Sequence, residues 1–368
     1  MRLFTRLDAY LIKKFITTYF FCIALIITVV VVIDINEKID NFIKADVSLW
    51  HIITEFYLNY VPYLANMFSP LFLFISVIFF TSNLADRSEI IAMQSCGMSF
   101  NRLIRPYFMS AAIIALLNFM LSAYVIPIGN KTRLEFEEQY IKKKKSEYVT
   151  NIQLEVDTGV VAYIERYENA TKTGYNFSLD KFKDKQLVSH LTASSIVFQD
   201  TASDNRWLLR DYTLRTLDGI QEKMTRGREI DSIIDMSPED FFLFVGQQDA
   251  KQQEAMTSPQ LQRYIEKQKA RGVAGITKFE IEYHKRIATA FAAFILTLIG
   301  LSLSSRKIKG GMGINLGIGL FLSFSYILLQ GISATFSTTG GIPPVLAVWL
   351  PNILFALIAL ILYWRRMK

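Results

Sequence analysis

Six apolar runs constrain this chain more than any other feature: Phe15 to Ile33, Ile52 to Phe80, Tyr107 to Ile126, Ile287 to Leu303, Ile314 to Phe336 and Val345 to Trp364. A helix of about 20 residues crosses a hydrocarbon core of about 30 Å, and its backbone groups must find their partners inside the segment because lipid supplies none. Six transmembrane helices are therefore expected. The second run is the longest and carries Pro62 and Pro70, which predicts a kinked or tilted helix. At 51% hydrophobic with 28 Phe, the chain is too apolar for an ordinary soluble protein of its length.

The apolar runs crowd the two ends and leave a polar block between them. The expected organisation is an N-terminal membrane block over residues 1–130, a soluble domain with a connecting helix over 131–280, and a C-terminal membrane block over 281–368. In the middle block Tyr175, Phe177 and Leu179 alternate with Asn176, Ser178 and Asp180, the period of a strand with one buried face. Similar runs span Asn151 to Val156, Val160 to Ile164, Leu187 to Phe198 and Trp207 to Leu217, separated by DTG, ENATKTG, DTASDN and LDG turns. A β-sandwich or jellyroll is expected, followed by a helix from Ser258 to Lys269 that starts on Pro259. The fold class is thus an α-helical polytopic membrane protein with six transmembrane helices plus an inserted all-β, jellyroll-like domain.

The formal charge of +7 looks like a nucleic-acid signal until the bases are located at the ends of the spans, so no nucleic-acid partner is expected. Arg2, Arg6, Lys13 and Lys14 precede span one; Arg87, Arg102 and Arg105 lie between spans two and three; Arg306, Lys307 and Lys309 lie between four and five; Arg365, Arg366 and Lys368 follow span six. These mark the cytoplasmic side, which puts both termini inside and the soluble domain outside. Lys142 to Lys145 fall on the exported side, where long translocated domains are exempt from the charge rule. The competing reading of residues 1–33 is a signal peptide, but the run ends in VVVVIDINEK without a small-residue cleavage site, which favours a retained span. Cys22 lies in a span and Cys96 in a cytoplasmic loop, so the exported domain has no disulfide.

No span carries Asp, Glu, Lys, Arg or His near its middle, which argues against a gradient-coupled transporter. The chain has no GxxxxGK[ST] phosphate loop and is not its own ATPase by that route; no HExxH or CxxC spacing suggests a metal, and no GxSxG elbow suggests a hydrolase. His51, His190 and His284 lie in different regions. No enzyme activity, metal or cofactor is expected.

The loop between spans two and three reads RSEIIAMQSCGMS over residues 87–99. Ile90, Met93 and Gly97 fall at i, i+3 and i+7, with Ile91 and Met98 nearby; Asp86 and Glu89 suit a helix start and Gly97 a helix end. Residues 84–98 are thus expected to form a short docking helix. Its polar face holds Glu89, Gln94 and Ser95 with Arg87 the one base, which suits a protein groove better than anionic lipid.

On LDAYLIKKF (Leu7 to Phe15), ADRSEIIAMQSCGMS (Ala85 to Ser99), VAYIERY (Val161 to Tyr167), GIPP (Gly341 to Pro344) and LPN (Leu350 to Asn352), in that order and over nearly the whole length, the chain resembles the LptF/LptG permeases of lipopolysaccharide export. The opening LDAYL and the RSE..AMQ..G pattern look more like LptG than LptF. The resemblance implies an inner-membrane ABC-transporter subunit that extracts lipopolysaccharide and passes it to a periplasmic bridge. Its implied partners are an LptB-like ATPase dimer that consumes the ATP, an LptF-like counterpart, and LptC-like and LptA-like bridge proteins.

By the same resemblance the quoted loop is the coupling helix. Glu89 stands at the family's coupling glutamate, with Arg87, Ile90, Met93 and Gly97 around it. Spans one and five line lateral gates in this family, which makes Phe21, Leu25, Gly317, Phe321 and Phe324 gate candidates; Gly319, Gly331 and Ser333 allow close helix approach. Lys38, Lys44, Lys131, Arg133, Lys285 and Arg286 are the candidate cations for lipid phosphates, from topology alone. Basic residues typical of LptG do not align without gaps here; Asn36, Leu134 and Glu137 hold the nearest positions. Ala290 replaces a usual early proline of span four, so that helix is expected to run straighter. The alternatives are a mechanotransmission-type permease, which would have four spans, and a membrane scaffold without an ATPase.

Overall fold

The computed structural model describes residues 5–141, 148–183, 186–199, 205–218, 221–243, 252–270, 275–306 and 311–367. Arg2, Lys142 to Lys145, residues 200–204 of the DTASDN turn, Gly219 of the LDG turn, Lys307, Lys309 and Lys368 lie outside the described residues. Helices and strands separate into two compact units. One comprises residues 1–141, 254–258 and 277–368; the other comprises 142–253 and 259–276.

The helical unit begins with α1 (Arg6–Lys44), then α2 (Leu49–His51), α3 (Leu58–Met67), α4 (Ser69–Asp86), α5 (Glu89–Ser95), α6 (Phe100–Met120) and α7 (Ile126–Phe136). After the inserted unit come α9 (Thr277–Ser304), α10 (Gly311–Thr338) and α11 (Pro344–Met367). Among the described residues six helices are long and apolar enough to span a bilayer, so this is a multi-pass membrane protein.

The expected long second span is broken in two. A π-helical turn over Ile52–Tyr57 leads into α3, and the helix stops at Phe68 (φ −93°, ψ 4°) before restarting as α4. Pro70 suits the restart: without an N–H it is accommodated in the first turn of a helix. A second π turn, Leu121–Val125, joins α6 to α7. No proline interrupts α9.

The core of the unit gathers around α4, whose apolar stretch is 78% buried, whereas that of α1 is 11% buried. Phe15, Phe80 and Tyr107 stack on one another with centroids 5.7 to 6.2 Å apart. Several polar side chains in this core pair with one another, as a lipid surrounding favours. The Tyr19 hydroxyl meets Ser69 Oγ at 2.8 Å, Asn118 donates to the same oxygen, and Thr81 meets Tyr107 at 3.0 Å. Asn352 of the LPN motif accepts from Tyr326 (2.9 Å) and donates to the Ala288 carbonyl (2.8 Å), tying α11 to α10 and α9. Close approach explains one glycine: a Cβ at Gly319 would sit 2.2 Å from Ile78 Cδ1 of α4.

The second unit contains β1 (Tyr148–Asp157), β2 (Val160–Glu168), β3 (Thr173–Lys183), β4 (Gln186–Phe198), β5 (Arg206–Asp218), β6 (Gln221–Ile233) and α8 (Ser258–Ala270), which starts at the end of the other unit. The inserted unit is all-β apart from its helical turns, but its six strands pair antiparallel in chain order within one sheet, a meander in place of two facing sheets. One buried row crosses four strands, Ile152 opposite Ile164, Phe177 and then Ala193. The segment after β6 folds over this face: the Trp207 indole donates to the Met236 carbonyl (2.8 Å), and the Phe241 ring lies 4.5 Å from that of Tyr167. Asp240 fixes the cover to α8 by accepting from Gln268 (2.7 Å) and Lys267 (3.2 Å).

Because Trp207 is fully buried, Trp207→Ala should cost about 3–5 kcal/mol. Limited proteolysis of the purified full-length chain should then cleave the strand unit much faster, while Phe182→Ala, on an exposed side chain, should cleave at the parental rate.

Candidate functional site

Three features of the helical unit bear on function: the α4–α5 turn, the uncovered faces of α1 and α10, and the cations near the ends of α1, α7 and α9.

Two residues, Arg87 and Ser88, join α4 to α5. Ser88 takes the left-handed conformation (φ 60°, ψ 13°), its N–H closes α4 on the Ala85 carbonyl (3.0 Å), and its own carbonyl opens α5 by accepting from Ala92 (2.9 Å). Holding a non-glycine residue there costs roughly 1–2 kcal/mol. Gly97 (φ 87°) ends α5 in a Schellman arrangement, with Gly97 N–H on the Gln94 carbonyl (2.9 Å) and Met98 N–H on that of Met93 (3.2 Å). The helix is confined to Glu89–Ser95, shorter than the expected 84–98 because α4 runs to Asp86.

The orientation of α5 corrects the sequence expectation. Ile90 is 1% exposed and Met93 half-buried, and both pack with Leu84, Leu103 and Tyr107 into the protein's own helical core. They anchor the helix and are not its outward surface. Periodicity finds an apolar face but cannot say what covers it, and here the chain covers its own. Arg87, Ile91, Ala92, Ser95 and Gly97 are exposed.

Glu89 is tied to α1. Tyr10 donates to Glu89 Oε2 (3.1 Å), Lys14 Nζ lies 3.9 Å from Oε1, and Lys14 also donates to the Tyr10 hydroxyl (2.6 Å). All three groups are partly solvated, so each contact is worth about 0.2–1 kcal/mol. A firmer tie lies beside it. Asp8 completes a capping box with Thr5 and receives both terminal nitrogens of Arg102, at 2.8 and 2.5 Å. Sequence reasoning quoted LDAYLIKKF as a motif without assigning Asp8, Tyr10 or Lys14; an aromatic or basic residue one turn apart on an apolar helix was the available signal.

The gate candidates of α1 and α10 are uncovered: Phe21 is 64%, Leu25 53%, Phe321 72% and Phe324 53% exposed. A Cβ at Gly317 would meet nothing within 4 Å. An apolar groove along α10, lined by Ile327, Leu328, Gly331, Ile332 and Phe336, continues the same surface. More than half of each of the four Phe and Leu candidates is uncovered among the described residues, whereas Gly319 faces α4.

The six candidate cations divide. Arg133 is 1% exposed, stacked on the rings of Tyr60 (5.2 Å) and Tyr63 (4.8 Å) with Glu137 at 3.7 Å. Arg286 is 4% exposed and donates to Glu282 and Ser258, each at 3.1 Å. Lys38 pairs with Asp34 (2.6 Å) and lies over Phe56 and Tyr60. Lys38 and Arg286 are engaged by internal carboxylates, and Arg133 is buried between two rings with its Nε and one terminal nitrogen lacking a hydrogen-bond partner among the described residues; sequence distance conceals these carboxylates and rings. Lys44, Lys131 and Lys285 are exposed. Among the described residues no cluster of His, Cys, Asp and Glu is placed to hold a metal.

The opposed burial of neighbours on α5 sets a direct test. Ile90→Ala should lower the stability of the purified chain by about 2–5 kcal/mol, and Ile91→Ala should change it by less than about 0.5 kcal/mol, read by thermal unfolding in one detergent.

Comparison across protein families matches residues 9–365 to the lipopolysaccharide export system permease LptF/LptG, without separating LptF from LptG. Comparison with individually curated proteins finds no match. With six membrane-length helices around an inserted antiparallel sheet and a match from residue 9 to residue 365, this chain belongs to the LptF/LptG family of lipopolysaccharide export permeases.

Proposed function

We propose that this chain is the permease subunit of an ABC transporter that extracts lipopolysaccharide from the inner membrane and passes it to a periplasmic bridge. A separate LptB-like ATPase dimer supplies the energy and consumes the ATP, and the permease needs no cofactor of its own. In this reading α5 is the coupling helix. The observation that carries it is the two-sided build of α5: Ile90 locks the helix to the bundle while Ile91 and its exposed neighbours face away. A docking partner that pushes on such a helix moves α4 and, through Glu89 with Tyr10 and Lys14, α1.

The ATPase side is then the side of α5, with both termini in the cytoplasm and the sheet unit in the periplasm, as the distribution of Arg and Lys supports. The uncovered faces of α1 and α10 suit a cavity shared with an LptF-like counterpart, where Phe21, Leu25, Phe321 and Phe324 offer apolar surface to acyl chains. The exposed Lys44, Lys131 and Lys285 are the cations left for lipid phosphates. Strand β6, exposed along nearly its whole length at one edge of the sheet, offers LptC-like or LptA-like strands an unpaired edge. A mechanotransmission-type permease with four spans fits six membrane-length helices poorly.

Glu89→Arg places a cation beside Lys14 and, in this reading, against a basic residue of the ATPase; loss of a charge pair in a partly desolvated interface costs about 2–5 kcal/mol. The variant should reach the membrane and lose the ATPase on affinity purification, whereas full co-purification would refute the coupling reading. Photocrosslinkers at Phe21, Leu25, Phe321 and Phe324 should capture lipopolysaccharide during ATP turnover; capture of phospholipid alone would point to another cargo.

A further inference from the structure

A cavity of about 70 Å³, its wall part polar and part apolar, lies within the helical unit, between α3, α4, α6, α7, α9 and α10. It has room for about five water-sized groups. Glu254 reaches it from the short helical turn Gln252–Ala255. Tyr63 donates to Glu254 Oε1 (3.3 Å), and Asn130 Nδ2 donates to the Glu254 backbone carbonyl (3.3 Å). Three acceptors remain without a partner among the described residues: Glu254 Oε2 and the Oδ1 atoms of Asn66 and Asn130. Asn130 is fully buried. On the same lining, Arg286 is committed to Glu282 and Ser258, while Lys285 is exposed.

Among the described residues the lining therefore has an acceptor-rich pole and one available cation, Lys285. An anion alone is repelled by the open oxygens, and a divalent metal calls for more carboxylate charge than is open here, since the second lining carboxylate, Glu282, is held by Arg286. A ligand that satisfies both poles carries N–H donors with positive charge at one end and a negative group near Lys285 at the other. Burial and the neighbouring Glu282 charge push the Glu254 carboxyl above its ordinary range, partly offset by Lys285 and Arg133, so an ammonium beside Oε2 would favour its ionised form. We propose that this cavity binds the ammonium end of a phosphoethanolamine headgroup, with Glu254, Asn130 and Asn66 as acceptors and Lys285 on the phosphate. The site is independent of which lipid the transporter exports.

The test uses the full chain with its co-purifying subunits, reconstituted in nanodiscs of equimolar phosphatidylethanolamine, phosphatidylcholine and phosphatidylglycerol, with retained lipid counted by native mass spectrometry. Phosphatidylethanolamine should be enriched about fivefold over each competitor, the scale of one net hydrogen bond. Phosphatidylcholine, a cation without N–H donors, isolates the hydrogen-bonding requirement in the unaltered protein. Glu254→Gln and Asn130→Leu should each bring the ratio back to that of the bilayer, and Glu135→Gln, exposed on α7, should leave it unchanged. Displacement of the retained lipid by soluble phosphoethanolamine would assign recognition to the headgroup alone; enrichment that resists it would assign the site to the membrane-borne form. Equal retention of the ethanolamine and choline lipids, or undiminished enrichment in a Glu254→Gln protein of unchanged melting temperature, would overturn the proposal.

Discussion

Lipid offers a peptide group no hydrogen-bond partner, and every part of the helical unit answers to that fact. Long helices carry the chain across, and where they are interrupted the interruption is itself hydrogen-bonded. The stop at Phe68 keeps its N–H on Leu64, and its carbonyl receives Phe72. The π turns Ile52–Tyr57 and Leu121–Val125 spread one extra residue over the helix without leaving it. Some buried side chains meet the same demand. Tyr19, Ser69 and Asn118 form one polar knot, and Tyr326, Asn352 and the Ala288 carbonyl form another. Around α4 these knots replace the hydrophobic driving force that lipid removes.

The sequence motifs shared with the family are largely positions in this framework. Asp8 and Arg102 bind the start of α1 to the start of α6, and Glu89 binds α5 to α1 within the next two turns, at Tyr10 and Lys14. Asn352 joins three helices through two hydrogen bonds. In VAYIERY, Ala162, Ile164 and Tyr167 supply buried positions of β2. Pro344 opens α11 at the position where a missing N–H costs nothing. Such residues position the surfaces proposed to do the work, which are themselves plain: exposed Phe and Leu on α1 and α10, and a few side chains on α5.

Much of this architecture was legible beforehand, since an apolar run of bilayer length has few folded outcomes. Five of the six strands announced themselves by alternation. The sixth did not: QEKMTRGREIDSI has no apolar period because β6 buries neither face. The orientation of α5 was hidden for a related reason, as Ile90 and Ile91 are equally apolar and only the packed structure decides which turns inward. Among the cations, spacing revealed neither that Arg133 lies between two tyrosines nor that Lys38 belongs to Asp34. The cavity was invisible, because Glu254 stands more than a hundred residues from Asn130 and Tyr63 in an unpatterned stretch.

The length of α1 has a geometric consequence. Its 39 residues contain neither Gly nor Pro, and at 1.5 Å per residue the rod is about 58 Å long, close to twice the hydrocarbon thickness. Asp8, Tyr10 and Lys14 pin it within its first three turns. For a stiff rod held that close to one tip, a rotation of about 5° sweeps the opposite tip through about 4 to 5 Å. Ångström-scale shifts at the pinned end are thereby amplified into displacements as wide as an acyl chain at the far end.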